Sequence, residues 1–135
     1  MKYIEGSSPR VLLRIPESLT IHTDPLRLRV ILNNLLSNAI KYADPTKAEL
    51  IITITAAREG NDFIFSIEDN GEGIPENQQD KIFEMFYRAS EKASGSGLGL
   101  YIVKESLEKL NGSIQHQSKL GQGSKFTITI PLEGV

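Results

Sequence analysis

Two stretches of the chain carry apolar residues at the spacing of an amphipathic helix. The first follows Asp24-Pro25, an acidic N-cap with proline at the first helical position, and extends to about Tyr42. Its apolar stripe consists of Leu28, Ile31, Leu32, Leu35 and Ala39. The second spans residues 98–110 and ends at Asn111-Gly112, with an apolar face of Leu100, Val103, Leu107 and Leu110. This spacing predicts two long helices that each bury one face.

Segments rich in β-branched and aromatic residues predict strands before, between and after these helices. They are residues 11–15, 21–23, 48–58, 63–68, 113–119 and 125–130. Polar turns at 59–62 and 121–123 would join neighbouring strands as hairpins, and a short helix is expected over 76–82. This order predicts a two-layer α/β sandwich, in which helices cover one face of a mixed, mostly antiparallel sheet.

Length and composition restrict the class of protein. The 135 residues suit one domain, with residues 1–10 as a linker and 11–135 as the folded part. A net charge of −2 argues against binding nucleic acid through bulk charge, and the absence of cysteine excludes disulfides and thiolate chemistry. No apolar run approaches a membrane span and no signal peptide is visible. We therefore expect a cytoplasmic domain without membrane contact of its own.

One polar face of the first helix has the side chains for a phosphate site. Asn34, Asn38 and Lys41 recur at i, i+4 and i+7, which places them on the same side of the helix. An amide oxygen is a ligand suited to Mg²⁺, and an ammonium group neutralises phosphate. Taken alone, the same pattern is more often that of a solvated helix face.

Two glycine-rich segments suggest close backbone approach to a ligand. In Asp69-x-Gly71-x-Gly73, the carboxylate can accept a hydrogen bond from an exocyclic amine while the glycines admit a flat ring. Residues 95–100 run into the second helix, where backbone N–H groups and the helix dipole favour an anion. An ordinary turn and a flexible linker are the respective structural alternatives.

Between these segments lies the aromatic cluster FEMFYR at residues 83–88. It can anchor a loop against the core so that Arg88 reaches a phosphate, or it can serve core packing alone. Gly121-x-Gly123 is interpreted as a turn, and His22 and His116 as ordinary surface or core residues.

In this order, the motifs resemble the catalytic and ATP-binding domain of sensor histidine kinases. That GHKL ATPase fold is shared with type II topoisomerases, mismatch-repair ATPases and heat-shock chaperones. The segments that look like the N, G1, F, G2 and G3 boxes are LRVILNNLLSNAIKY, DNGEGIP, FEMFYRAS, SGSGLGLYIVKESLEKLNGSI and GQGSKFTITIPL. The resemblance covers about residues 10–132, nearly the whole chain.

The resemblance implies ATP and Mg²⁺ as cofactors and assigns roles by position. Asn38 would ligate Mg²⁺ with support from Asn34. Phosphate contacts would come from Lys41, Arg88, Gly97, Leu98, Gly99 and Leu100. The adenine end would be formed by Asp69, Gly71, Gly73 and Ile74, with Asp69 accepting the adenine amine, and Tyr42 would lie near the nucleotide. Phe83 and Phe86 would seat an ATP lid at about residues 87–97.

The resemblance also implies how the domain is used. Hydrolytic relatives carry a Glu four residues before the metal-binding Asn, and Asn34 occupies that position here, so we expect poor ATP hydrolysis. The acceptor histidine of the family precedes an acidic residue, whereas Thr23 and Gln117 follow the two histidines of this chain. We therefore expect a monomeric part of a larger kinase, whose separate dimerisation and histidine-phosphotransfer domain receives the phosphate and passes it to a response regulator. The parent kinase would be either cytoplasmic or membrane-anchored.

Two other functions fit the same fold. A stand-alone serine kinase of the anti-sigma type would carry a Glu near the position of Asn34 and would lack FEMFYR. A degenerate, non-catalytic nucleotide-binding module would have lost Asn38, Asp69 or the glycines, and all of these are present.

Overall fold

The structure is a computed structural model that describes residues 9–84 and 98–132. In chain order it contains β1 (Arg10–Arg14), α1 (Pro25–Lys41), β2 (Ile51–Glu59), β3 (Asp62–Asp69), a 3₁₀ turn (Glu76–Gln78), α2 (Gly99–Lys109), β4 (Ser113–Lys119) and β5 (Gly123–Pro131). Both long helices and both predicted hairpins are therefore confirmed, with boundaries shifted by up to three residues.

The described strands form one five-stranded sheet in the order β1-β2-β3-β5-β4. β1 pairs with β2 in parallel, and every other neighbouring pair is antiparallel, so the prediction of a mixed, mostly antiparallel sheet is confirmed. The order places β5 directly against β3, although the two strands are far apart in the sequence. This pairing brings Ser124 opposite Asp69.

Helices α1 and α2 pack against each other and cover one face of the sheet, as the two-layer prediction requires. Alternate residues of β3 face them, because side chains on a strand point to opposite sides in turn. The apolar core includes Ile31 and Leu35 of α1, Val103 and Leu107 of α2, and Phe65, Ile67, Phe126 and Ile128 of the sheet. Leu28 and Leu32 of the predicted α1 stripe are only half-buried.

The start of α1 is fixed by the residues that the sequence indicated. The Asp24 carboxylate accepts hydrogen bonds from the backbone N–H groups of Leu26 at 3.0 Å and Arg27 at 3.2 Å. These contacts satisfy two of the donors that the first turn of a helix leaves without intrahelical partners. Pro25 occupies the first helical position, where the N–H that it lacks is not needed.

Two sequence predictions are wrong. Residues 21–23 do not form a strand but lead into α1, where Ile21 packs beside the core instead of pairing with a neighbouring strand. The expected helix over 76–82 is only a 3₁₀ turn followed by further turns. Its hydrogen bonds span three residues, as from the Gln78 N–H to the Pro75 carbonyl at 2.9 Å, so no α-helical ladder develops.

The two histidines occupy the ordinary positions that the sequence suggested. His22 is exposed before α1, whereas His116 lies half-buried in β4 with its ring 4.6 Å from that of Phe126. The buried Nε2 of His116 has no hydrogen-bond partner among the described residues. Burial lowers the pKa of His116 to about 4, so the ring is neutral at physiological pH.

Candidate functional site

The candidate site is centred on the carboxylate of Asp69, the last residue of β3. Strand alternation puts this side chain on the helix-covered face with Phe65 and Ile67, and the residue is only 8% exposed. Asp69 Oδ1 accepts a hydrogen bond from the Gly71 N–H at 2.8 Å, and the Ser124 backbone N–H also hydrogen-bonds the carboxylate. Burial raises the pKa of Asp69 to about 6, while these two donors oppose the rise.

This carboxylate has acceptor capacity to spare. A carboxylate offers about four lone-pair positions, and the two backbone donors use only part of them. Above pH 6 the carboxylate is ionised although it is largely buried, so a further hydrogen-bond donor would be favourable. The arrangement suits a ligand that presents an N–H group.

Residues 69–74, which begin with Asp69, form the glycine loop. A Cβ atom on Gly71 would clash with the carbonyl oxygen of Tyr42 and would lie 2.9 Å from Asp69 Oδ1. Gly73 has a φ of +77°, and a Cβ there would clash with the carbonyl of Lys119. Both positions therefore require glycine, because the backbone of the loop lies directly against neighbouring backbone.

The glycine loop is also fixed by hydrogen bonds to α1 and to the β4–β5 hairpin. The Glu72 N–H donates to the Tyr42 carbonyl at 2.8 Å, and the Gly121 N–H donates to the Glu72 carbonyl at 2.7 Å. The Ile74 N–H donates to Ser118 Oγ at 2.7 Å. The loop is thus held from both sides before any ligand arrives.

The β4–β5 turn does more than reverse the chain, which was the role the sequence indicated for it. A Cβ atom on Gly123 would clash with the Asp69 carbonyl, and Gly123 has a φ of +121°. Gln79 Nε2 donates to the carbonyls of Ile74 at 2.9 Å and Ser118 at 3.1 Å. Sequence reasoning missed Gln79, Ser118 and Ser124; strand alternation alone could have placed Ser118 on the helix-covered face.

The polar face of α1 meets the beginning of α2. Asn34 Nδ2 donates to the Val30 carbonyl at 2.8 Å, and a Cβ on Gly99 would lie 3.3 Å from Asn34 Oδ1. Asn38 is half-buried one turn further along α1, and Lys41 is exposed at its end. Among the described residues, no side chain caps the first turn of α2, and the backbone N–H groups at the start of a helix favour an anion.

The structure brings together some of the predicted residues and leaves others untested. Asp69, Gly71, Gly73 and the 3%-exposed Ile74 form one loop, and Tyr42 lines a cavity of about 380 Å³ with Gly73, Pro75 and Leu120. Asn34 lies beside Gly99, with Leu98 and the half-buried Leu100 next to it. Phe83 packs edge-on against Phe126 with the ring centroids 6.3 Å apart. Arg88, Phe86, Gly97 and the expected lid at 87–97 lie outside the described residues.

Comparison with known proteins identifies the family. Residues 23–134 match the model of the histidine kinase-, DNA gyrase B- and HSP90-like ATPases, and the chain belongs to this family. It is the ATP-binding catalytic domain of a sensor histidine kinase.

The similar proteins are themselves histidine kinases or sensor proteins. The circadian input-output histidine kinase CikA of Synechococcus elongatus is 43% identical over 112 residues, which cover 80% of this chain and 14% of CikA. The alginate biosynthesis sensor protein KinB of Pseudomonas aeruginosa is 35% identical over 131 residues, which cover 95% of this chain and 22% of KinB. The chain thus spans less than a quarter of these two relatives.

A solved structure adds a nucleotide-bound relative. Full-length ShkA in complex with AMPPNP is 32% identical to this chain and has a TM-score of 0.76. The match covers 90% of this chain and 25% of the ShkA chain. No helix in residues 9–84 or 98–132 of the present chain is long and apolar enough to cross a membrane.

Alanine at Gly73 tests the close contact between the glycine loop and the hairpin, and Gly60 provides a matched control. Gly60 also has a positive φ, of 62°, but a Cβ there meets nothing within 4 Å. We expect Gly60→Ala to lower the free energy of unfolding by about 1–2 kcal/mol from backbone strain alone. Gly73→Ala should cost about 1–3 kcal/mol more, because of the added clash. Urea unfolding measures both, and equal losses would contradict the contact.

Proposed function

We propose that the domain binds Mg²⁺–ATP between the polar face of α1, the glycine loop and the start of α2. We further propose that it donates the γ-phosphate to a histidine on a separate dimerisation and phosphotransfer domain. The observation that carries the proposal is the buried Asp69 carboxylate, which keeps free acceptor capacity beside two glycines that cannot be replaced without a clash. The AMPPNP complex of ShkA supports the choice of nucleotide.

At the adenine end, Asp69 would accept the exocyclic amine of the base. Gly71 and Gly73 would let the ring lie against the backbone, with Ile74 and Tyr42 as apolar and aromatic walls. Guanine carries a carbonyl oxygen where adenine carries this amine, and two acceptors facing each other repel. Asp69 therefore selects adenine by the chemistry of one hydrogen bond.

At the phosphate end, we assign Asn38 as a ligand of Mg²⁺, with Asn34 beside it. No group of three His, Cys, Asp or Glu residues that could hold a metal occurs in the described ranges. An Asn oxygen fits Mg²⁺, whose remaining ligands would be phosphate oxygens and water. Lys41, the N–H groups at Gly99 and, outside the described residues, Arg88 and Gly97 would contact the phosphates.

The proposed reaction needs positioning and charge neutralisation more than covalent chemistry from the protein. Bound Mg²⁺ would neutralise charge on the phosphates. The bond between the γ-phosphorus and the bridging oxygen of ADP breaks, and a bond to the acceptor imidazole nitrogen forms. Asn34 cannot take a proton from water, so hydrolysis should remain slow.

The acceptor is proposed to lie outside this domain. His22 is exposed in the segment before α1, and the ring of His116 lies tilted against that of Phe126 with a buried Nε2. Neither residue lies on a helix that could dock against the phosphate end. We therefore propose that the domain is monomeric in isolation, acts in the cytoplasm and reaches a response regulator only through the phosphorylated parent kinase.

Asp69→Asn tests the adenine contact. Wild-type protein should gain roughly 10 °C in Tm at an ATP or ADP concentration about 100 times Kd, because the ligand binds only the native state. Asp69→Asn should lose most of this gain, since its amide group can present a donor where the amine needs an acceptor. The wild-type gain should also shrink as the pH falls through about 6, where Asp69 becomes protonated.

Glu59→Gln is the matched control, because Glu59 is exposed and lies at the opposite end of the β2–β3 pair from Asp69. It should keep the wild-type gain in Tm. If wild-type protein shows no gain with millimolar nucleotide, ATP binding at this site is refuted. If Asp69→Asn keeps the full gain, the adenine assignment is wrong.

Asn38→Ala tests the metal assignment separately. Calorimetric titration of ATP with Mg²⁺ and with EDTA should show that the variant loses about tenfold or more of the affinity that Mg²⁺ adds. Binding in EDTA should change little. Asn33→Ala removes the neighbouring exposed amide and should behave as wild type. An unchanged Mg²⁺ dependence in Asn38→Ala would contradict the assignment.

Incubation with γ-labelled ATP tests the transfer itself. The isolated chain should remain unlabelled, whereas addition of a dimerisation and phosphotransfer domain from a related kinase should produce acid-labile phosphohistidine on that domain. Asn38→Ala should abolish this labelling. Rapid labelling of the isolated chain on His22 or His116 would refute the separate-acceptor mechanism.

A further inference from the structure

Lys47, in the connection between α1 and β2, contacts the glycine loop with its charged end. The side chain is half-buried, and Lys47 Nζ donates hydrogen bonds to the carbonyls of Asn70 at 2.7 Å and Gly71 at 3.4 Å. These carbonyls belong to the two residues that follow Asp69. The family motifs that marked the other site residues do not include this lysine.

The other contacts of this segment are neutral. Asn70 Oδ1 accepts from the Ile51 N–H at 2.8 Å, and Asn70 Nδ2 donates to the Glu49 carbonyl at 3.1 Å. Together with the Tyr42 carbonyl, they hold the backbone of the loop without adding charge. Among these described contacts, Lys47 alone brings a full positive charge to the backbone beside Asp69.

Two charged side chains act on the Asp69 carboxylate in the described structure. Lys47 favours its ionised form, and Glu68, the preceding residue on the opposite face of β3, disfavours it. Burial is the larger effect and raises the pKa of Asp69 to about 6. Because this value is already close to neutrality, loss of one nearby positive charge would raise the protonated fraction at physiological pH.

We propose that Lys47 is a positioning residue for adenine recognition, which fixes the Asn70 and Gly71 peptides and places a positive charge beside the Asp69 carboxylate. It does not touch the nucleotide and acts only through Asp69 and the loop. This inference rests on the proposed function, because it assumes that Asp69 is the adenine acceptor. It adds a specificity determinant that lies outside the glycine and asparagine motifs.

The test compares Lys47→Met, Lys47→Arg and the control Lys104→Met, which removes the same charge from an exposed position of α2. ADP binding is measured by calorimetry from pH 5.5 to 8.5. Lys47→Met should bind ADP about three- to tenfold more weakly at pH 7. As the pH is lowered, the variant should lose binding at a higher pH than wild type does. Lys47→Arg should restore both properties, and Lys104→Met should match wild type.

A direct titration measures the effect of Lys47 on Asp69 without nucleotide. A ¹³C NMR titration of the Asp69 carboxyl without nucleotide should show a higher midpoint in Lys47→Met. If that variant folds poorly, Lys47→Gln replaces it in both measurements.

The outcomes separate this inference from the proposed function. Weaker binding with an unchanged pH midpoint would show that Lys47 is only a structural contact, and would overturn the inference. Unchanged affinity and midpoint in Lys47→Met would overturn it as well. If wild-type protein binds no ADP at any pH, the proposed function fails first and the inference fails with it.

Discussion

The burial of one carboxylate governs the arrangement of the site. Asp69 ends the central strand of the sheet on its helix-covered side, where an ionised group loses much of its hydration. The fold compensates with backbone donors from Gly71 and Ser124 and with the ammonium group of Lys47 nearby. The compensation is incomplete, since the pKa remains raised to about 6. The Asp69 carboxylate therefore keeps free acceptor positions, which can recognise a ligand by accepting a hydrogen bond from it.

The same geometry shows why so much of the site consists of backbone. The glycine loop fits between the end of α1 and the β4–β5 hairpin with carbonyl groups on both sides, so Gly71 and Gly73 have no room for side chains. Hydrogen bonds at Glu72 and Ile74 fix the loop in that space. A ligand would therefore meet a surface that is already ordered, and binding would need little rearrangement of this part of the chain.

Sequence reasoning predicted the features that depend on local pattern. Apolar spacing located α1 and α2 because each buries one stripe, and Asp24 marked the start of α1 through its capping contacts. It failed at residues 21–23 and 76–82, where Ile21 and Ile82 pack in or against the core without forming a strand or an α-helix. It also missed Lys47, Gln79 and Ser118, since these contacts join segments 23 to 44 residues apart. Periodicity indicates which face a residue occupies but not which distant segment it meets.

The contacts of Gly73 with Lys119 and of Gly123 with Asp69 have a consequence for synthesis on the ribosome. Residues 24–74 contain most of the proposed adenine end, yet the partners that hold it in shape come from the last hairpin of the described chain. A nascent chain that ends before β5 lacks the neighbour of β3 and leaves that strand as an unpaired edge. The proposed nucleotide site is therefore completed only once β5 has been synthesised, and a product truncated before β5 would expose an unpaired strand edge instead of a partly formed site.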